Sequence, residues 1–160
     1  MDTKTAKKQS EIPGNILLYY KWLPISLVAA ALGFIIFWLY FLISGHSDPR
    51  NTEIHLAFEM SFFLPDIFWI TPLLLLSAFW LKKGNEKGPA ASTAAGGAMV
   101  FLGLVDISFN LQQGIYARSL SDAMFNGLVN LFTIGFGLVF LIAGGKLAVS
   151  HIHKKTLTSS

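Results

Sequence analysis

The chain has 160 residues, of which 53% are hydrophobic and only 13% charged, with a formal net charge of +3. A soluble domain carries roughly 25% charged residues, so this chain lacks the polar surface needed to cover its own apolar runs in water. With no cysteine, disulfides, thiolate metal ligands and cysteine nucleophiles are excluded, and because the basic residues flank apolar runs, the positive charge points to membrane topology rather than to nucleic acid.

Residues 1–15 are polar, with Lys4, Lys7 and Lys8, and read as a disordered tail. The first apolar run covers about residues 22–44 and has no small-residue cleavage site after it, so it reads as a true span with Lys21 at its edge. Turn formers follow at Gly45, Ser47, Asp48, Pro49 and Asn51. The second run, about 54–81, contains Glu59, Pro65, Asp66 and Pro72. A hydrophilic turn from Lys82 to Pro89 leads to a third run, about 90–112, rich in Ala and Gly at its start. After a short polar linker, Ser121 or Asp122 is placed to cap the fourth run, about 123–149, and residues 151–160 form a polar tail.

Each run is long enough to cross a hydrocarbon core of about 30 Å at 1.5 Å per residue. The expected fold is an all-α integral membrane four-helix bundle, one domain over residues 16–150. All the Lys and Arg residues except Arg50 and Arg118 fall in the tails, at Lys21, in the central loop or, as Lys146, at the tail end of the fourth run. That asymmetry predicts cytoplasmic N- and C-termini, and the short loops suit a bacterial inner membrane.

Ionisable groups within such spans cost about 2.5–3.5 kcal/mol at the helix centre and so face partners or cavities. On the second run His55, Glu59, Phe62, Asp66 and Trp69 recur at helical spacing; on the third, Gly96, Met99, Gly103, Asp106, Asn110 and Gln113; on the fourth, Asn126, Asn130, Thr133, Gly137, Phe140 and Gly144. At 1.5 Å per residue Glu59 lies ~6 Å and Asp66 ~16 Å below the outer surface, and Asp106 ~9–12 Å below it. These depths coincide, and they predict an outward-facing pocket lined by Glu59, Asp66, Asp106, Asn110, Asn126 and Asn130. Gly103 and Gly137 let helices approach below it. Pro65 withholds a backbone donor from the carbonyl near Ser61 and predicts a kink beside Asp66.

Other polar and aromatic residues have simpler readings. The amides Asn110, Asn126 and Asn130 also suit interhelical hydrogen bonds. His46 and His55 read as solvated at the outer edge, and His151 and His153 as part of a solvated tail, so neither a metal site nor a cofactor is expected. Trp22, Trp38, Tyr40, Trp69 and Trp80 read as interface or lipid-facing aromatics, with only Trp69 sharing the polar face.

The pairs Phe58-Glu59 and Leu64-Pro65 resemble the second helix of the emopamil-binding-protein superfamily. The resemblance implies a four- or five-helix membrane protein with acids in an intramembrane cavity that takes sterols or cationic amphiphiles. This sequence departs from that pattern because its first helix has no acid.

Three functions are compatible with these features. The first is binding or transport of a cation, a proton or a small cationic amphiphile, with the lipid bilayer as surroundings and a homo-oligomer or larger membrane complex as the working unit. The second is an accessory subunit whose polar faces specify assembly. The third is an intramembrane lipid-modifying enzyme using Glu59, Asp66 and Asp106 as acid–base groups; it ranks last, because no nucleophile, metal set or cofactor motif accompanies them.

Overall fold

The computed structural model describes residues 14–45 and 52–158, with side chains placed for 21–45 and 52–150. Most of the expected N-terminal tail, the turn formers from Ser47 to Asn51, and the His46, His151 and His153 side chains therefore lie outside the described residues. Every element among the described residues is helical: α1 (Gly14–Ser44), α2 (Glu53–Leu64), a π-helical turn (Pro65–Ile70), α3 (Thr71–Lys82), α4 (Lys87–Gln112), α5 (Ile115–Arg118) and α6 (Leu120–Thr158). The α2, π-helical and α3 segments run on as one rod, and among the described residues four helices are long and apolar enough to cross a membrane.

The outer surface agrees with that solvent. Ile43 is 78% exposed, Leu131 69% and Ile36 65%. Large apolar side chains on so many faces would drive aggregation in water; in lipid they meet their own kind.

Local chemistry sets the helix ends. Thr52 caps α2 by accepting a hydrogen bond from the His55 N–H at 3.2 Å. α6 starts at Leu120 rather than near residue 123, and its cap is Ser119 rather than Ser121 or Asp122. The Asp122 N–H donates to Ser119 Oγ at 3.1 Å, and that hydroxyl donates to Asp122 Oδ2 at 2.8 Å. This reciprocal Ser-x-x-Asp pair satisfies the first turn one step earlier than the apolar pattern suggests. Helical backbone also continues past the expected end of the last span, to Thr158.

The irregularity expected at Pro65 is a π-helical turn. The Thr71 N–H donates to the Asp66 carbonyl, five residues back, so the turn holds roughly one residue more than an α-turn. The buried face therefore advances by one position: Ile70 is buried at 1% exposure, and Trp69, expected on the polar face, is 67% exposed.

Lateral packing follows side-chain size. α4 and α6 pack closely because glycines face backbone: a Cβ on Gly96 would collide with the Leu141 nitrogen and the Gly137 carbonyl, and one on Gly144 would lie 2.7 Å from the Thr93 nitrogen. Ser92 Oγ crosses the same seam to donate to the Phe140 carbonyl at 3.1 Å. Ser77 Oγ likewise ties α3 to the Gly88 carbonyl at 2.9 Å. Between apolar helices in lipid the hydrophobic drive is absent, so close contact and such hydrogen bonds carry the association. Leu23, Leu27, Ala30 and Ala31 of α1 join Ile70, Leu74, Ala78 and Leu81 in one core with Ala95, Met99, Phe140 and Leu147. α1 leans on α3 far more than on α6, and this unequal packing leaves room between α1 and α6 at the other end of the bundle.

Candidate functional site

That room is a cavity of about 660 Å³ at the end carrying the α1–α2 and α4–α6 connections, lined by α1, α2, the π-helical turn, α4 and α6. Its lining runs from Gly33 on α1 to Gly45 just past its end and from Ser121 to Thr133 on α6, a depth of roughly 18 Å at 1.5 Å per residue. Phe37, Tyr40 and Phe41 of α1, Phe62 of α2 and Phe125 of α6 supply aromatic walls. At the bottom α1 and α6 close together, where a Cβ on Gly33 would lie 2.8 Å from the Phe132 ring.

Five of the residues singled out from the sequence line this space: Glu59, Asp66, Asp106, Asn126 and Asn130. The carboxyls converge, since Glu59 lies within electrostatic reach of Asp106 and Asp66, and Asp66 within reach of Asp106. Glu59 is buried at 9% exposure, with His55 Nε2 3.9 Å from its Oε1. His55 is not the solvated edge residue its position suggests, being only 8% exposed. The Thr52 cap places it inside the helix, and the Phe109 ring, 6.0 Å away, covers it while stacking on Phe58 at 3.7 Å.

Asp66 is the best-defined member. Trp38 Nε1–H donates to its Oδ2 at 2.9 Å, while buried Oδ1 has no hydrogen-bond partner in the protein. Trp38 itself is 1% exposed and boxed by the rings of Phe63 at 5.0 Å, Phe37 at 5.5 Å and Phe41 at 5.6 Å. Read from the sequence as an interfacial or lipid-facing aromatic, it is a buried donor to the site. A signal was there: Leu23, Leu27, Ala30, Phe34, Trp38 and Phe41 recur at three- and four-residue steps, the spacing of one buried helical face.

Asp106 stands beside the amides of Asn130, across on α6, and Asn110, one turn further along α4. Asn130 Nδ2 is anchored by the Tyr116 hydroxyl and the Asn126 carbonyl, both at 2.9 Å. Asn126 Nδ2 donates to the Asp122 carbonyl at 2.9 Å. Asn110 does not line the cavity. It is fully buried, next to the chain reversal where α5 packs on α4, and its amide meets no partner in hydrogen-bond geometry. Tyr116, given no role from the sequence, does not line the cavity but reaches Asn130 from behind it, and its helix follows the φ +62° turn at Gly114, a left-handed conformation that favours glycine.

Chemically the site is a set of oxygen acceptors within aromatic walls. Among the described residues no Lys or Arg lines it, and the basic side chain in its lining is His55, beside Glu59. Comparison with known protein families, with curated proteins and with solved structures gives no match for this chain.

Proposed function

We propose that this chain is a multi-pass membrane protein that binds or transports a small cationic ligand in the acid-lined cavity. The observation that carries the reading is the convergence of Glu59, Asp66 and Asp106 on one cavity that no Lys or Arg lines among the described residues. Asp66 and Asp106 have neutral neighbours, the Trp38 indole and the Asn130 amide, rather than a Lys or Arg. A buried carboxylate without a countercharge costs several kcal/mol, and a ligand cation offsets that cost on arrival. The aromatic walls suit the same guest, because a cation over a ring gains about 0.5–2 kcal/mol. A volume of about 660 Å³ falls within the ~300–1,000 Å³ of small-molecule sites.

The Lys/Arg distribution supports a topology with both termini and the Lys82–Lys87 turn in the cytoplasm, as in a bacterial inner membrane. The cavity then faces the outer leaflet.

Calorimetry on the protein in lipid nanodiscs tests the reading, with tetramethylammonium and dodecyltrimethylammonium as probes and uncharged dodecanol as control. Binding of the cations but not of the alcohol, lost in the Asp66→Asn, Asp106→Asn double variant, is the expected result. Equal binding by that variant removes the proposal.

A further inference from the structure

Besides Ser121 at the end of the cavity, four apolar or aromatic lining residues face two ways. Ile36 and Tyr40 of α1 and Phe125 and Leu128 of α6 line the cavity, yet they are 65%, 54%, 48% and 63% exposed. Residues that line a cavity and also face the outside form its rim. This rim is built by two helices that each lean mainly on another neighbour, since α1 packs along α3 and α6 along α4. Across it the Tyr40 and Phe125 rings stand 6.2 Å apart. Below it the slot is closed by the contact of Gly33 with the Phe132 ring.

We infer that the cavity opens sideways into the lipid between α1 and α6, and that its ligand is an amphiphile with a cationic head and an apolar chain. The inference rests on the cation-binding reading above and narrows it. Along this flank the rim offers apolar and aromatic side chains and, apart from the Tyr40 hydroxyl, no polar group; the polar lining residues Ser44, Ser121 and Asp122 lie at the end of the cavity beside the helix connections, a separate path for a small hydrated cation. A hydrated ion crossing the flank would lose water with almost nothing to replace it; an alkyl chain crosses it freely. The cavity is also far larger than a bare monovalent ion needs. Its depth of roughly 18 Å is close to one leaflet of a hydrocarbon core ~30 Å thick. The head sits against Asp66 and Asp106, and the chain lies in the slot between Ile36 and Leu128.

The absence of cysteine permits a direct test. The Tyr40→Cys, Phe125→Cys double variant is reconstituted in nanodiscs and bridged with a reducible bis-methanethiosulfonate linker. Exchange of bound dodecyltrimethylammonium and tetramethylammonium is then followed before bridging, after bridging and after reduction. Bridging is expected to slow exchange of the long-chain cation by about tenfold or more, a change in rate rather than in binding chemistry. Tetramethylammonium exchange stays unchanged, and reduction of the linker restores the original rate in the same sample. Equal slowing of both cations, or slowing of neither, overturns the lateral opening while leaving cation binding intact. If neither cation binds before bridging, the cation reading itself falls and the inference falls with it.

Discussion

The indole of Trp38 donates a 2.9 Å hydrogen bond to the carboxylate of Asp66, joining residues 28 positions apart on two different spans. This bond ties α1 to the π-helical turn and fixes one oxygen of the carboxyl, while the other is buried without a hydrogen-bond partner in the protein. A buried carboxylate deprived of its donor loses about 1–3 kcal/mol. Trp38→Phe, which keeps the ring and removes the N–H, is therefore expected to lower the thermal midpoint in detergent clearly. Asp66→Asn retains an acceptor for the indole and should shift it less. A midpoint for Trp38→Phe equal to that of the parent protein would show the bond to be incidental.

The α4–α6 seam separates two kinds of glycine. Gly96→Ala forces a methyl into the Leu141 backbone, whereas a methyl on Gly145 meets nothing within 4 Å. Gly96→Ala should destabilise by about 1–3 kcal/mol through overpacking. Gly145→Ala should be neutral or stabilise by up to about 1 kcal/mol through helix propensity. Chemical unfolding in mixed micelles reads both, and the reverse order would contradict the seam.

Deletions test the π-helical turn. Removing exposed Phe68 takes out the one extra residue of the turn, so α2 and α3 keep their faces in an unbroken α-helix. Removing Leu74 rotates everything beyond it by about 100° and turns Ser77, Ala78 and Leu81 out of their buried positions. The first deletion is expected to give monodisperse protein on size exclusion, the second to aggregate. Equal behaviour of the two would mean that the turn carries no surplus residue.

Topology is open to labelling in a chain without cysteine. With a membrane-impermeant maleimide on intact cells, Gln113→Cys in the α4–α5 turn should react, and Asn85→Cys in the turn between α3 and α4 should react only after permeabilisation. The opposite pattern would invert the proposed orientation.

Much of this molecule could be read before its structure. The four apolar runs, the common level of Glu59, Asp66 and Asp106 along the bundle, and the small faces at Gly96, Gly103 and Gly137 follow from hydropathy and the 3.6-residue period. Trp69 and Trp38 were misplaced for different reasons. Trp69 was assigned by uninterrupted α-helical spacing, and the π-helical turn broke that spacing. Trp38 was assigned by residue type, because an aromatic near a span end is so often interfacial, although the spacing of its neighbours placed it inside.

What the sequence determined alone is the solvent of this chain and the places where polar groups enter it, since both are local properties of each helix. Which helices press together and which stay apart was decided only in three dimensions. Glycine contacts draw α4 onto α6, the aliphatic face of α1 settles on α3, and the gap left between α1 and α6 becomes the cavity. Such a gap belongs to no single helix, because it arises from the difference between pairwise packing distances that each depend on two distant segments.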